Sequence, residues 1–396
     1  MNTELLRSIG NMSQLAEIRR ATLSEGTGKG LDTAQFRNAA GLAFTVIPGR
    51  CMDIYDLSYR GINLSFLSKA GLTHTFSPMN GEFSNQWAGG ALVTCGLDNV
   101  GGHCTAGGET FPTHGRIGAT PASSFGTESF WDGGEYILRA SGEMHQASLF
   151  GRNLTLRRRI ETTLYGKTVK VRDEIINSAA EAEPYMLLYH CNFGYPLLRH
   201  DSVFAHSPAE LTVLSPLSGD PGKMSHPIDG REEELYLWRA KGERSCGILY
   251  NLSLGLGVAV SADTAALPNF LEWKRMKSGD YVLAIEPCNT CGMDRKTAAE
   301  NGILPVIPPF SSVTAGIEIT VLDGESEING ALRQLGCPKI AVQVLYHTAA
   351  VLSSPEIPVG IYTSHNPRVL WLPLEGEGSL SVFAFATEIS RLHRRQ

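Results

Sequence analysis

Residues 153–178 read NLTLRRRIETTLYGKTVKVRDEIINS, and their pattern decides the fold class. Leu154, Leu156 and Arg158 alternate with Thr155, Arg157 and Arg159; beyond Gly166, Val169 and Val171 alternate with Lys170 and Arg172. Side chains two apart on a strand share a face, so this spacing predicts antiparallel strands with one face in water. The Arg157-Arg158-Arg159 run reads as solvated stems on a sheet face rather than as a phosphate site.

The same signature recurs on both sides. LAFTVIP (42–48), MDIYDLSY (52–59), INLSFLS (62–68) and EYILRASGEM (135–144) have the length and β-branched or aromatic content of strands. So do LYLWRA (235–240), CGILYNLSLGLGVAVSA (246–262), YVLAIEP (281–287) and TAGIEITVLDG (314–324). Helical spacing is confined to one short face, Leu5, Leu6, Ile9, Met12, Leu15 and Ile18, interrupted at Gly10-Asn11, and to a weak trace over 291–302. No repeat period is present. The expectation is an all-β protein, a large sandwich or barrel. Its organisation reads as an arm over 1–33, a main domain over 34–330, and strand-like runs over 331–396 punctuated by Pro338, Pro355, Pro358 and Pro367. Residues 76–127 are glycine-dense and irregular, as functional loops in a compact domain tend to be.

Composition narrows the function classes. A formal net charge of −6 leaves no electrostatic footprint for nucleic acid or an anionic membrane. No apolar run approaches the ~18 residues that span a bilayer, and the charged N-terminus lacks a signal-peptide core, so a cytoplasmic site is expected. The eight cysteines are scattered along the chain, unlike a disulfide framework.

Four places could carry chemistry. Arg50 and Asp53 follow the Pro48-Gly49 turn; residues three apart on a strand face opposite sides, which argues against a simple ion pair between them. GLDNVGGHC holds Asp98, Asn99 and His103 between glycines but lacks the ending of a phosphate loop. THGRIG holds His114 and Arg116, two donors able to hydrogen-bond a polyhydroxylated ligand. In IEPCNTCG, Glu286 follows an apolar strand and precedes a proline, which predicts a carboxylate at the sheet's rim. A partly buried carboxylate has a raised pKa and suits general-base work. The lone pair Cys288/Cys291 lacks the second pair of a structural zinc site, and neither a metal nor another cofactor is expected. Between the last two lies YHCNFGYPL (189–197), where His190 is expected at the end of a core strand giving way to a turn at Asn192 and Gly194.

Taken in order, PGRCMDI, CGLDNVGG, THGRIG, the alternating strand pair, LLYHCNFGYPLL, EWK and IEPCN resemble the galactose-mutarotase-like superfamily over about residues 35 to 325. The similarity is greatest to a bacterial aldose 1-epimerase-like group. It implies a β-supersandwich of two large antiparallel sheets with a sugar cleft on one concave side. It places His190 as general acid, Glu286 as general base, and His114 and Arg116 on sugar hydroxyls. Arg50, Asp98, Asn99, Trp273 and Lys274 are carried as further substrate contacts, and Trp87 as a platform beside Trp273. THGRIG stands where mutarotases have N-R-x-x-x-R.

The chemistry fits these residue types. Interconverting anomers requires loss of the O1 proton and protonation of the ring oxygen, then ring opening, rotation and closure. One base and one acid on opposite sides of the ring suffice, each with a pKa near the working pH. The expected partner is a small free or modified sugar, with a homodimer compatible with the sequence. Two competitors stand beside an epimerase: a sugar-binding or regulatory protein that keeps the cleft alone, and a lyase or hydrolase that would add Tyr189 or Tyr195 to the site.

Overall fold

The expected strands run Asn153–Thr163 and Thr168–Asn177 and pair antiparallel, with Ile160 opposite Val171 and Arg158 opposite Asp173. They appear in a computed structural model that describes residues 3–78, 83–216 and 219–336. Both belong to an eight-stranded antiparallel sheet. Its order is Val203–His206, Arg244–Asn251, Leu256–Asp263, Ser311–Asp323, Thr168–Asn177, Asn153–Thr163, Glu135–Ala147 and Ser123–Asp132. A six-stranded sheet runs Ala209–Val213, Glu234–Ala240, Asn269–Lys277, Asp280–Cys288, Met186–Phe193 and Val93–Leu97. A five-stranded sheet collects Glu17–Thr22, Asp32–Arg37, Leu42–Ile47, Asp53–Tyr59 and Ile62–Asn63.

The three sheets share one apolar core. Leu154, Leu156, Ile160, Val169 and Val171 join Tyr189, Cys191, Phe193, Phe270 and Ile285, together with Phe36, Phe44 and Leu57. Each such side chain contributes about 1.5–3 kcal/mol on burial, so the alternating pattern specifies which face turns inward. This is the all-β sandwich expected from the sequence.

Two readings need correction. Arg158 is not solvated: its exposure is 0%. It lies on the inward face with Leu154 and Leu156, and its guanidinium forks onto Asp173 at 2.9 and 2.6 Å. Its Nη1 donates to Cys51 O at 2.9 Å and Thr94 Oγ1 at 2.8 Å and lies 3.3 Å from Asp53 Oδ1. Tyr189 donates to Asp173 at 2.8 Å, so this buried network joins all three sheets. Arg157 keeps the predicted solvent position, pairing with Glu143 and Glu174 at 2.9 Å. The N-terminal helix ends at Ser8, and Ile18 lies in the strand Glu17–Thr22, which pairs with Asp32–Arg37. At the other end a helix at Glu325–Gln334 spans position 330. Its Ile328 and Leu332 pack with Ile248, Tyr250 and Leu322. The strand-like runs expected beyond it lie outside the described residues. Among the described residues no helix is long and apolar enough to cross a membrane.

Candidate active site

The strand Met186–Phe193 is buried along its whole length, on both faces. Leu187, Tyr189, Cys191 and Phe193 point to the shared core. Met186 and Leu188 face the other way with Cys95, Leu271 and Cys288, and His190 shares their parity. Cys191 thus turns away from His190, as its position on the strand requires. The neighbouring strand Asp280–Cys288 pairs with Leu188 opposite Cys288 and Cys191 opposite Ile285, a register that sets His190 across from Glu286. Their Nε2 and Oε1 atoms are 3.3 Å apart.

Neither residue sits at a strand end. The strand continues from His190 to Phe193, and Glu286 is followed in its own strand by Pro287 and Cys288. The expected turn at Asn192 comes later; Asn192 instead donates its side-chain amide to Gly90 O and His190 O. Acid and base candidates also share one wall of the cleft rather than facing each other across it.

Above this wall is a cavity of about 600 Å³. Leu188, Leu271 and Val282 extend its floor, and Trp273 rises from the adjacent strand. The glycine-dense region supplies the opposite side through Phe83, Trp87 and His114. The rings crowd His190: Trp87, Trp273 and His114 have centroids 5.5, 5.6 and 5.6 Å from it. Phe83 is 5.4 Å from His114. At the mouth, Lys69 pairs with Asp280 at 2.8 Å and Arg275 with Glu233 at 3.5 Å. Glu233 also accepts from Trp273 Nε1 at 2.9 Å.

Burial sets the electrostatics. Glu286 is 3% exposed and His190 5%. Loss of solvation raises Glu286 to about 8, with the charge of Glu233 adding to it. The same loss holds His190 well below the usual histidine range, with His114 pushing it further down. Both shifts disfavour charge, favouring at neutral pH a protonated carboxyl beside a neutral imidazole that keeps its single N–H. His190 Nδ1 and Glu286 Oε1 are buried and have no hydrogen-bond partner in the protein. Burial lowers His114 to about 4, keeping it neutral. Its Nδ1 accepts from Gly101 N at 3.3 Å, which leaves the proton of the neutral ring on Nε2.

Several residues expected on the substrate are committed elsewhere. Arg50 donates to Thr73 O, Thr73 Oγ1 and Thr75 O and stacks on Phe76, fastening the 73–76 segment. Arg116 is spent on Asp98 and on Thr110 O. Asp98 also accepts from Arg116 N at 3.0 Å, and Asn99 donates to Gly102 O and Pro112 O at 2.8 and 2.7 Å. These bonds build the loops on either side of His114, so Asp98, Asn99 and Arg116 shape the cleft from behind. Lys274 alternates with Trp273 and is buried on the far face, bonded to Asp220 O and Lys223 O and 3.4 Å from Glu234. His103 is exposed and does not line the cavity. Among the described residues no group of three or more His, Cys, Asp or Glu side chains is placed to hold a metal ion. Of the lining residues absent from the sequence reading, Leu188 and Val282 could have been found by stepping two and four residues from His190 and Glu286. Phe83 carries no such signal.

Residues 28–321 match a family described as a domain of unknown function, DUF4432. No curated protein matches the sequence. Among solved structures, a candidate aldose 1-epimerase from Klebsiella pneumoniae is similar at a TM-score of 0.75 and 19% identity, over 85% of this chain and 90% of that one. A galactose mutarotase-like protein from Clostridium acetobutylicum follows at a TM-score of 0.54 and 14% identity, over 78% and 99%. A galactose 1-epimerase from Lactobacillus acidophilus gives 0.50 and 14%, over 78% and 99%. At these identities the likeness establishes the fold.

Proposed function

From a chain that belongs to the DUF4432 family and has the galactose mutarotase-like fold, we infer an enzyme that interconverts the anomers of a small free aldose by acid–base ring opening. The observation that carries this reading is the His190–Glu286 pair. It is a cross-strand contact of 3.3 Å, facing a cavity of about 600 Å³, between two groups whose pKa values burial drives in opposite directions. Residues with strongly displaced pKa values in a cleft are the ordinary mark of acid–base catalysis.

Adjacent placement suits this reaction. O1 and the ring oxygen are bonded to the same carbon, so an acid and a base side by side reach both from one direction. One member takes the O1 proton and the other protonates the ring oxygen as the bond from C1 to the ring oxygen breaks. The C1 aldehyde rotates, and closure returns both protons to their starting kinds of atom. Opening and closing are the reverse of each other, so one shared proton serves both. In the fold-family assignment His190 acts as acid and Glu286 as base during opening; sugar binding would then move the proton onto the imidazole. His114 Nε2–H offers a donor to a hydroxyl, and Trp273 and Trp87 offer apolar faces.

The test follows anomer exchange by NMR over aldoses, uronates and deoxy sugars. The wild type is compared with His190→Ala and Glu286→Gln, and each substitution is expected to reduce the rate at least about 100-fold. Exchange at the buffer rate for every sugar, with saturable binding retained, would replace the enzyme with a sugar-binding protein.

A further inference from the structure

Two consecutive glutamates at the start of one strand divide between its two faces. Glu234 opens the strand Glu234–Ala240 and turns inward, where its carboxylate accepts from Tyr236 Oη at 2.6 Å and lies 3.4 Å from Lys274 Nζ. Neighbours in an extended chain point to opposite faces, so fixing Glu234 inside turns Glu233 to the cleft. The register pairs Glu234 with Lys274 and Leu235 with Trp273, which carries Glu233 across from Arg275. There its Oε2 accepts the Trp273 indole N–H at 2.9 Å and lies 3.5 Å from Arg275 Nη1. Resting on the aldose-epimerase reading, we propose that Glu233 is a positioning residue of this site: by holding the Trp273 indole it fixes the ring against His190 and sets the face on which the sugar lies.

The two contacts of Glu233 differ in weight. Its pairing with Arg275 lies at the mouth with the glutamate half-exposed, and such an ion pair is screened by water and salt. The indole N–H instead meets a carboxylate oxygen at hydrogen-bonding distance, a charge-assisted and directional contact about twice as strong as a neutral one. A tryptophan side chain turns about two torsions, and a bond at the indole nitrogen, remote from Cβ, fixes both. The ring so held stands 5.6 Å from His190 at 77° and 6.1 Å from Trp87 at 80°. A turn of Trp273 would therefore change the wall beside the imidazole and the surface offered to a sugar ring together. Reacting groups tolerate little displacement: a misplacement of about 1 Å can cost about 100-fold in rate.

The experiment compares the full-length wild type with Glu233→Ala, Glu233→Gln, Trp273→Phe and the double variant Glu233→Ala/Trp273→Phe. Affinity for D-glucose, D-galactose, D-glucuronate and 2-deoxy-D-glucose is read by calorimetry, and anomer exchange by NMR. The Trp273 indole N–H is followed by its proton–nitrogen correlation signal, assigned by its loss in Trp273→Phe. Glu233→Ala is expected to move that signal upfield and to lower kcat/KM about tenfold. Glu233→Gln keeps an oxygen acceptor and should stay within about threefold of the wild type. In the Trp273→Phe background, Glu233→Ala should change affinity and rate by less than about twofold more, because the donor it serves is already gone. An equal loss in both backgrounds would overturn the proposal, as would wild-type signal and rate in Glu233→Ala, or a Gln variant as impaired as the Ala variant. Absence of binding by all four sugars would overturn it too. Binding without anomer exchange in the wild type would remove the epimerase reading alone; affinities that remain non-additive between Glu233 and Trp273 would then still uphold the positioning role.

Discussion

Replacing Glu286 by Gln tests the state of the central pair through stability, independently of any substrate. In the folded chain burial raises the carboxyl from 4.5 to about 8, so it keeps a proton that the unfolded chain releases. Unfolding therefore sheds a proton between these values, and stability falls as pH rises through that window. At pH 7 the unfolded state has gained the interval from 4.5 to 7, which at about 1.36 kcal/mol per pH unit is roughly 3 kcal/mol. Glutamine cannot ionise and nearly matches the protonated carboxyl in shape. The variant should therefore equal the wild type within about 1 kcal/mol at pH 5, exceed it by roughly 3 kcal/mol at pH 7, and gain little more above pH 8. Urea unfolding of both proteins at pH 5, 7 and 8.5 measures the difference, and groups common to both cancel. An ionised Glu286 facing an imidazolium would reverse the sign, with the variant less stable at pH 7. A pH-independent difference would equally refute the protonated carboxyl beside a neutral imidazole.

The same protonation state sets a rate profile: kcat/KM should hold level across pH 6.5, because His190 titrates well below it, and fall above about 8 as the carboxyl loses its proton. His114 is neutral in the folded chain down to about 4 and charged in the unfolded chain below 6.5, so acid removes stability across that window. His114→Asn should flatten this acid limb by about 1 to 3 kcal/mol, the lower end reflecting the part of the ring open to the cleft, as read by unfolding at pH 4.5 and 7. Arg158→Ala leaves the buried Asp173 uncompensated and should cost about 3–5 kcal/mol, whereas Arg157→Ala, one residue away on the wet face, should cost less than about 1 kcal/mol. Gly115 has φ of +75°, and a Cβ there would overlap the carbonyl oxygens of Gly96 and Asn99. Gly115→Ala should thus displace His114 and weaken sugar binding in a fluorescence titration while the far-UV spectrum stays β-type.

The period-two pattern made the fold class legible, because alternation is a local property that the core enforces strand by strand. It also contained the answer for Arg158, which shares parity with Leu154 and Leu156; reading three adjacent arginines as one charged run overrode that parity. His190 and Glu286 were legible as residue types next to apolar runs, yet their depth in the strands was not. Asn192 and Pro287 signal turns in isolation, and tertiary pairing carried the strands past both, to Phe193 and Cys288. Arg50, Asp98, Asn99 and Arg116 were misplaced for another reason. A polar residue in a glycine-rich loop has the same local signature whether it grips a ligand or the next loop, and only the three-dimensional accounting of donors separates the two.

That accounting also separates the two buried polar clusters that meet on one strand. Tyr189 points inward to Asp173 and Arg158, where the guanidinium, both carboxylates and the Thr94 hydroxyl all have partners. His190, the next residue, points outward to Glu286, where an imidazole nitrogen and a carboxyl oxygen have none in the protein. The inward network has the completeness of a structural fastening between sheets. The outward pair has unspent hydrogen-bonding capacity, a proton to share and a cavity in front of it. Side-chain parity along one strand thus turns Tyr189 into the network that joins the sheets and His190 toward Glu286 and the cavity.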